Sequence, residues 1–412
     1  MSGAKKDILQ WIESNQAQMI QFLQELVAIP SDNPPGDCYA IAEHIHKRLI
    51  DFQFENVQLL DVDEAKVKAS GMIRVANVLS TTAFGEGEGP EISLNAHGDV
   101  VAPGMGWTYP PYGGEIVDGK LYGRGAAVSK SDIATYTFAL MALRHVAEEL
   151  SGKVSLAFTF DEETGGEIGP KWLLDRGYIH PDMAIAAGFT HSIVNAHNGC
   201  LHLEIMVKGK SAHAAAPHTG FDAIHAMSAI LHSLYDYRES LGKVKSAVPG
   251  IESPTLVVGL ISGGINTNVV PDRCTIRLDR RLIPEECGEQ AEKEIQQVVE
   301  QAIRHFEGIE VEVERILLAN SFGPVHVEEP LIQTLGSNWR EVMEGPLEIQ
   351  GVPLYADARH FYEAGIPVVM FGAGPKTLLE ANGHRADEHV LIDDLVKAAK
   401  IVALTLYDLL KK

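Results

Sequence analysis

Apolar residues at helical spacing open the chain. Ile8, Trp11, Ile12, Met19, Phe22, Leu23 and Leu26 recur three and four positions apart within residues 1–30, which predicts an amphipathic helix. Short β-branched and aromatic runs then alternate with helical ones. ANVLS (76–80), EISLNAH (91–97) and KVSLAFTF (153–160) read as strands, and SDIATYTFALMALRHVAEEL (131–150) reads as a helix between the last two. Strands and helices taking turns predict an α/β domain on a mostly parallel sheet flanked by helices.

Near residue 200 the texture changes. LHLEIMVKGKSAHA alternates apolar and polar positions, as a strand with one wet face does. A helix (221–241), the runs TLVVGLISGG and RCTIRLDRRLIP, a second helix (285–307) and IEVEVERIL follow. That β-α-β-β-α-β order predicts a separate α+β domain on an antiparallel sheet. The α/β texture returns with PVVMFGAG and a closing helix, DDLVKAAKIVALTLYDLL. The expected division is therefore 1–198 with 317–412 for the first domain, and 199–316 for a domain inserted in it. FGEGEGPE (84–91) reads as a surface loop.

Composition narrows the function without naming it. A length of 412 residues suits two domains. A net charge of −22 argues against nucleic acid or an anionic membrane as partner. No apolar run approaches the roughly 20 residues of a membrane span, and the N-terminal pattern lacks the features of a signal peptide. The four cysteines, Cys38, Cys200, Cys274 and Cys287, form no CxxC pair. They are expected to be reduced core or surface thiols rather than disulfides or zinc ligands. The default expectation is a cytoplasmic protein.

The candidate chemistry sits where apolar strands end. FTFDEETGGE sets Asp161, Glu162 and Glu163 together after a strand-like run. Adjacent carboxylates repel, and desolvating them is costly unless something positive offsets it. EISLNAHGDVV gives His97 and Asp99, a spacing that suits a metal-binding imidazole steadied by a carboxylate. NGHRADEH adds His384. Open α/β sheets place their sites at the carboxyl ends of strands, so the three elements together favour a cation. One glutamate would bind it and the other would stay free as a general base. Histidine and carboxylate ligands suit Zn²⁺, Co²⁺ or Mn²⁺. Other chemistries fit less well. There is no G-x-S-x-G elbow, Leu121 stands where a P-loop needs Ser or Thr, and GRGAAV lacks the third glycine of a dinucleotide fingerprint.

With these elements in order, nearly the whole chain resembles the M20 metallopeptidases, which include acetylornithine deacetylase, succinyl-diaminopimelate desuccinylase and carboxypeptidase G2. The resemblance implies a two-zinc catalytic domain with an inserted lid that forms a homodimer. On NAHGDVV it makes His97 a ligand and Asp99 its supporting carboxylate. On DEETGG it makes Glu162 the general base and Glu163 a ligand, and on GHRADEH it makes His384 a ligand. In the lid, GKSAHAAAPHTG puts His213 where the family stabilises the oxyanion, often across the dimer. INTNVVPD puts Asn268, and LDRRLIP puts Arg281, at substrate contacts, with Arg281 suited to hold a carboxylate. ADARHF, with Asp357 and Arg359, and the turn GAG match the return to the catalytic domain. The implied activity is hydrolysis of an amide bond in a small N-acyl amino acid or dipeptide-like substrate by a metal-activated water.

Two positions depart from the family pattern. In GRGAAVSKSD, Val128 stands where the family has the aspartate that bridges both metals. In AIAAGFTHS, Gly188 stands at a Glu or Asp ligand. Neither offers a donor, so one ion is expected rather than two, on His97, Glu163 and His384. Two other readings remain open. His191, or less readily Asp132 one helical turn past Val128, could substitute for the lost ligands. Alternatively, the chain could be a non-hydrolytic ligand-binding or scaffold protein on a peptidase fold.

Overall fold

The structure is a computed structural model that describes residues 2–377 and 379–412. The chain forms two compact units. The first comprises Met1–Asn195, Val325–Gln350 and Ala356–Lys412, and the second comprises Ala196–Pro324 with Gly351–Tyr355.

The first unit is built on an eight-stranded sheet. Its order is Gln58–Asp61, Ala76–Phe84, Gly152–Thr159, Glu91–His97, Met183–Ala186, Val368–Met370, Ser192–His197 and Glu348–Val352. The four middle strands, 152–159, 91–97, 183–186 and 368–370, run parallel. Antiparallel pairings flank them, 76–84 on one side and 192–197 on the other. The parallel strands are dry: Ile92, Leu94, Ala96, Val154, Leu156 and Phe158 are all buried. Each such side chain contributes roughly 1.5–3 kcal/mol of transfer free energy.

Helix Lys130–Leu143 lies against strand Glu91–His97, the first two helices and the closing helix Ile392–Leu410, and every one of its residues is buried. The N-terminal pattern, expected as one helix, is two, Gly3–Ser14 and Gln16–Val27. They break at Asn15, whose side-chain amide donates to the Trp11 carbonyl at 2.8 Å. Asparagine competes for backbone partners in this way and favours helix ends. The helix expected over 131–150 stops at Leu143 and continues as a 3₁₀ turn over Arg144–Glu149.

The second unit carries a four-stranded antiparallel sheet in the order Thr255–Gly263, Arg273–Leu282, Gly199–Lys208 and Glu310–Ala319. Helices Ala223–Leu241 and Gly288–Ile303 cover one face through Leu201, Leu203, Ile205, Ile276, Leu278, Ile230 and Ile295. Strand alternation sends Cys200, His202 and Glu204, with Asp279 and Arg281 on the neighbouring strand, to the other face. Thr255–Gly263 is an edge strand, and its Val257, Leu260 and Ile261 are exposed.

Candidate active site

The carboxyl ends of the parallel strands gather the polar residues of the first unit. His97 is the last residue of its strand and is buried. The Ser129 hydroxyl fixes its backbone, donating to the His97 carbonyl at 2.9 Å and accepting from its N–H at 3.0 Å. The ring's Nδ1 lies 3.0 Å from the Asp99 carbonyl and 3.3 Å from Asp99 Oδ1. Its Nε2 has no hydrogen-bond partner among the described residues.

Asp99 is fully buried and well satisfied. Oδ2 accepts from Asn33 Nδ2 at 2.9 Å and from the Glu163 N–H at 3.1 Å, and Oδ1 accepts from the Glu162 N–H at 3.3 Å. Asp99 thus ties the histidine to the two glutamates. Asn33 is a positioning residue that the sequence pattern did not single out, because it lies more than 60 positions from its partner.

The double glycine explains the shape of DEETGG. Glu162–Thr164 form a single 3₁₀ turn, closed by Gly165 and Gly166 at φ of +110° and +70°. A Cβ on Gly166 would lie 2.2 Å from Asp357 Oδ1, so only glycine fits the turn. His360 Nε2 meets the Gly165 carbonyl at 3.0 Å, and Arg359 donates to the same oxygen. His360 and Arg359 therefore support the glutamate turn from within the fold, and Asp357 fills the space beside Gly166.

The electrostatics of this cluster are lopsided. Withdrawal from water pushes the Glu162 carboxyl well above the ordinary carboxylate range; His97 opposes that, while Glu163, Asp357 and Asp99 add to it. Burial by itself lowers His97, but Glu162, Asp99 and Glu163 more than reverse this and hold the imidazole well above its ordinary pKa. Among the described residues, no lysine or arginine pairs with Asp99, Glu162 or Glu163. His384, held at φ +60°, places Nε2 3.5 Å from Glu163 Oε1, and that contact raises its pKa.

A divalent ion asks for donors about 2.0–2.2 Å from one point. An Asp99-backed imidazole with Nε2 free suits a ligand. The 3.5 Å between His384 and Glu163 is long for a hydrogen bond. It is close to the roughly 3.3 Å between two donors that each stand about 2.0–2.2 Å from one tetrahedral ion. His384 and Glu163 fit one ion in this sense, while His97 stands apart with Asp99 as a second pair, and the donors of His97, Glu163 and His384 do not all come within 4.8 Å of one another. The residues do not fit a second ion. Val128 has no donor, and a Cβ on Gly188 would lie 2.5 Å from both the Met370 carbonyl carbon and the Phe371 nitrogen. The neighbouring strand leaves no room for a ligand side chain there.

The two candidate substitutes behave differently. His191 is engaged elsewhere, with Nε2 3.0 Å from Asp394 Oδ2 on the closing helix. Asp132, the poorer candidate by sequence, reaches the gap. Its Oδ2 accepts from the Gly188 N–H at 3.1 Å and its Oδ1 from the Ala373 N–H at 2.6 Å. Burial raises it to about 7, against the pull of those amides and of His97. A second buried group also escaped sequence reading. Glu388 pairs with Arg124 and accepts from the Gly125 and Ala127 amides at 3.0 and 3.1 Å, locking the GRGAA loop to the GHRADEH segment.

The remaining expected residues lie in the second unit. His213 pairs with Val269 across a short ladder, and the Ala214 N–H donates to the Asn268 carbonyl at 3.0 Å, so these two neighbour each other. His213 Nδ1 accepts from the Ala215 N–H at 3.1 Å, which in the neutral ring assigns the proton to Nε2. Arg281 Nε contacts Asp279 Oδ1 at 3.1 Å, and its guanidinium stands 5.5 Å from the Tyr355 ring centroid.

Known proteins of similar sequence and fold assign the chain to a family. The family model described as Peptidase family M20/M25/M40 matches residues 93–408. The chain belongs to this family. A succinyl-diaminopimelate desuccinylase of Gluconacetobacter diazotrophicus is 31% identical over 76% of this chain and 80% of its own. An acetylornithine deacetylase of Myxococcus xanthus is 27% identical over 84% and 91%. In fold, human carnosine dipeptidase 1 superposes with a TM-score of 0.76 at 19% identity, covering 99% of both chains. The chain is thus a hydrolase of the M20 family, whose members depend on divalent metal. Membership does not favour the binding-protein alternative. No described helix is long and apolar enough to cross a membrane.

Proposed function

We propose that this M20 enzyme hydrolyses the amide bond of a small N-acyl amino acid or dipeptide-like substrate, with Glu162 as general base. The observation that carries this reading is the pair of adjacent glutamates in unlike settings. Glu163 faces His384, while Glu162 has no cationic side chain but His97 nearby and is pushed upward in pKa. A carboxylate raised in this way takes a proton from the attacking water more readily at neutral pH, and passes it to the leaving amine.

His97, Glu163 and His384 would hold a single ion, zinc or else cobalt or manganese. Such an ion supplies Lewis-acid polarisation of the amide carbonyl and a source of hydroxide at neutral pH. Asp99 orients His97 and, through two amides, the turn that carries both glutamates. The family resemblance gives His213 the oxyanion role, and its neutral ring carries the proton on Nε2, as a hydrogen-bond donor needs. Arg281, with only Nε hydrogen-bonded among the described residues, would take the substrate carboxylate together with Asn268. The relatives' names, desuccinylase and deacetylase, support an acyl group as the part removed.

Glu162→Ala is the deciding variant. Turnover of N-acyl amino acids is expected to fall by at least about 10²-fold while bound metal, measured by elemental mass spectrometry, stays at the wild-type level. Intact turnover would remove Glu162 from the base role. Loss of metal along with activity would instead make Glu162 a ligand. Treatment with a chelator is expected to abolish turnover, and added Zn²⁺ or Co²⁺ to restore it. His97→Ala and His384→Ala are each expected to lose one ion per chain.

A further inference from the structure

The catalytic cluster is not the tightest gathering of metal-binding groups in the molecule. Among the described residues, only Cys200, His202 and Asp279 bring three such donor atoms within 4.8 Å of one another. We propose that these three form a separate metal site on the polar face of the second unit's sheet, with a borderline-soft divalent ion such as Zn²⁺ as its ligand. The proposal does not rest on the catalytic reading above.

Sheet pairing makes the arrangement. Cys200 and His202 are two apart on strand Gly199–Lys208, so their side chains share a face. Asp279, on strand Arg273–Leu282, is the direct cross-strand partner of His202, and Arg281 is that of Cys200. Side chains directly opposed on one face stand about 4.5–5.5 Å apart at Cβ, close enough for their ends to converge. They do converge, on one atom. His202 Nε2 lies 3.1 Å from Cys200 Sγ and 3.1 Å from Asp279 Oδ2. A single ring N–H points along one direction and serves one acceptor well, whereas a cation binds all three donors at once.

The surroundings suit an ion as well. Arg281 Nε holds the other carboxylate oxygen, Oδ1, at 3.1 Å, and an outer partner of that kind fixes a ligating carboxylate in direction. Cys200 is fully buried, where a thiolate needs a positive partner, while His202 and Asp279 are half-buried and give an ion a route in. Thiolate, imidazole and carboxylate together select zinc over magnesium or calcium. Three protein ligands leave one position open to solvent. On binding, the thiol releases its proton to water and binds as thiolate, while the imidazole binds through Nε2 as a neutral ring with its one proton on Nδ1.

Cobalt absorption tests the site directly, because thiolate gives Co²⁺ a near-ultraviolet charge-transfer band that imidazole and carboxylate ligands do not. Full-length protein loaded with Co²⁺ is expected to show this band. It should persist in His384→Ala and in Cys38→Ser, Cys274→Ser and Cys287→Ser, and vanish in Cys200→Ser. Zinc content should fall by one ion per chain in Cys200→Ser, with far-ultraviolet circular dichroism unchanged. Absence of the band in the wild type, or its survival in Cys200→Ser, would overturn the proposal. If Cys200→Ser does not fold, His202→Gln and Asp279→Asn decide, since both keep the thiol. A drop of tenfold or more in zinc affinity supports the site, and an unchanged affinity in both rejects it. Loss of one ion in His384→Ala with the cobalt band intact separates this site from the catalytic one.

Discussion

At the scale of single residues, Asp132 carries more consequence than its place in the sequence suggests. Its carboxyl is buried, holds two backbone amides and is raised to about 7, against about 3.9 in an unfolded chain. Between those values the folded state keeps a proton that the unfolded state has lost. The stability this contributes is complete below the unfolded pKa and disappears as pH rises through about 7. Wild-type protein is therefore expected to lose stability relative to Asp132→Asn, by a few kcal/mol at most, on going from about pH 5 to about pH 8. Urea denaturation midpoints at the two pH values check this, and parallel curves would show that Asp132 does not hold the proton. The residue also shows the limit of reading along the chain. Along the helix it lies one turn past Val128 and away from the site, yet the fold brings Gly188 and Ala373 to its carboxylate.

At the scale of elements, the spacing of the parallel strands decides what the site can hold. Strand Met183–Ala186 runs beside Val368–Met370, and just past their ends a Cβ at Gly188 would collide with the backbone of Met370 and Phe371. Replacing the glycine by the family's acidic residue is accordingly not a simple restoration. Gly188→Asp is expected to lower the Tm, with a cost of about 1–3 kcal/mol or more because the clash is with backbone, and to leave metal content unchanged. Calorimetry with elemental analysis tests both parts. A second ion gained at unchanged Tm would show that the strands can open. The glutamate turn is the opposite case, since its glycines were visible in DEETGG and the structure supplies their reason in the contact with Asp357.

At the scale of the whole molecule, the second unit presents an unfinished sheet. Strand Thr255–Gly263 is an edge whose Val257, Leu260 and Ile261 are 55%, 62% and 61% exposed, and Ile265 beyond it is 78% exposed. An apolar edge with free backbone groups invites a further strand. We propose that a second copy of the chain covers it, making the homodimer that the family resemblance implies. Multi-angle light scattering is expected to give twice the chain mass for the wild type and a single-chain mass for Leu260→Asp combined with Ile261→Lys. A monomeric wild type would sink the proposal. Removing charge at Glu310 on the opposite edge strand should leave the mass unchanged.

The sequence by itself determined the element types, the mixed α/β class and the motifs at the strand ends. These follow from local periodicity and turn chemistry, which a linear chain displays. It also exposed the loss of two donor side chains, since a valine and a glycine cannot ligate in any fold. Only the tertiary structure decided which buried polar groups meet around them. Asp132 at Gly188, Asn33 at Asp99 and Glu388 at the GRGAA loop are contacts across 50 to 270 positions. The same holds for Cys200, His202 and Asp279. A C-x-H on one strand gives no hint of a ligand until the register of its neighbour is fixed, and a slip of one residue would turn Asp279 to the opposite face.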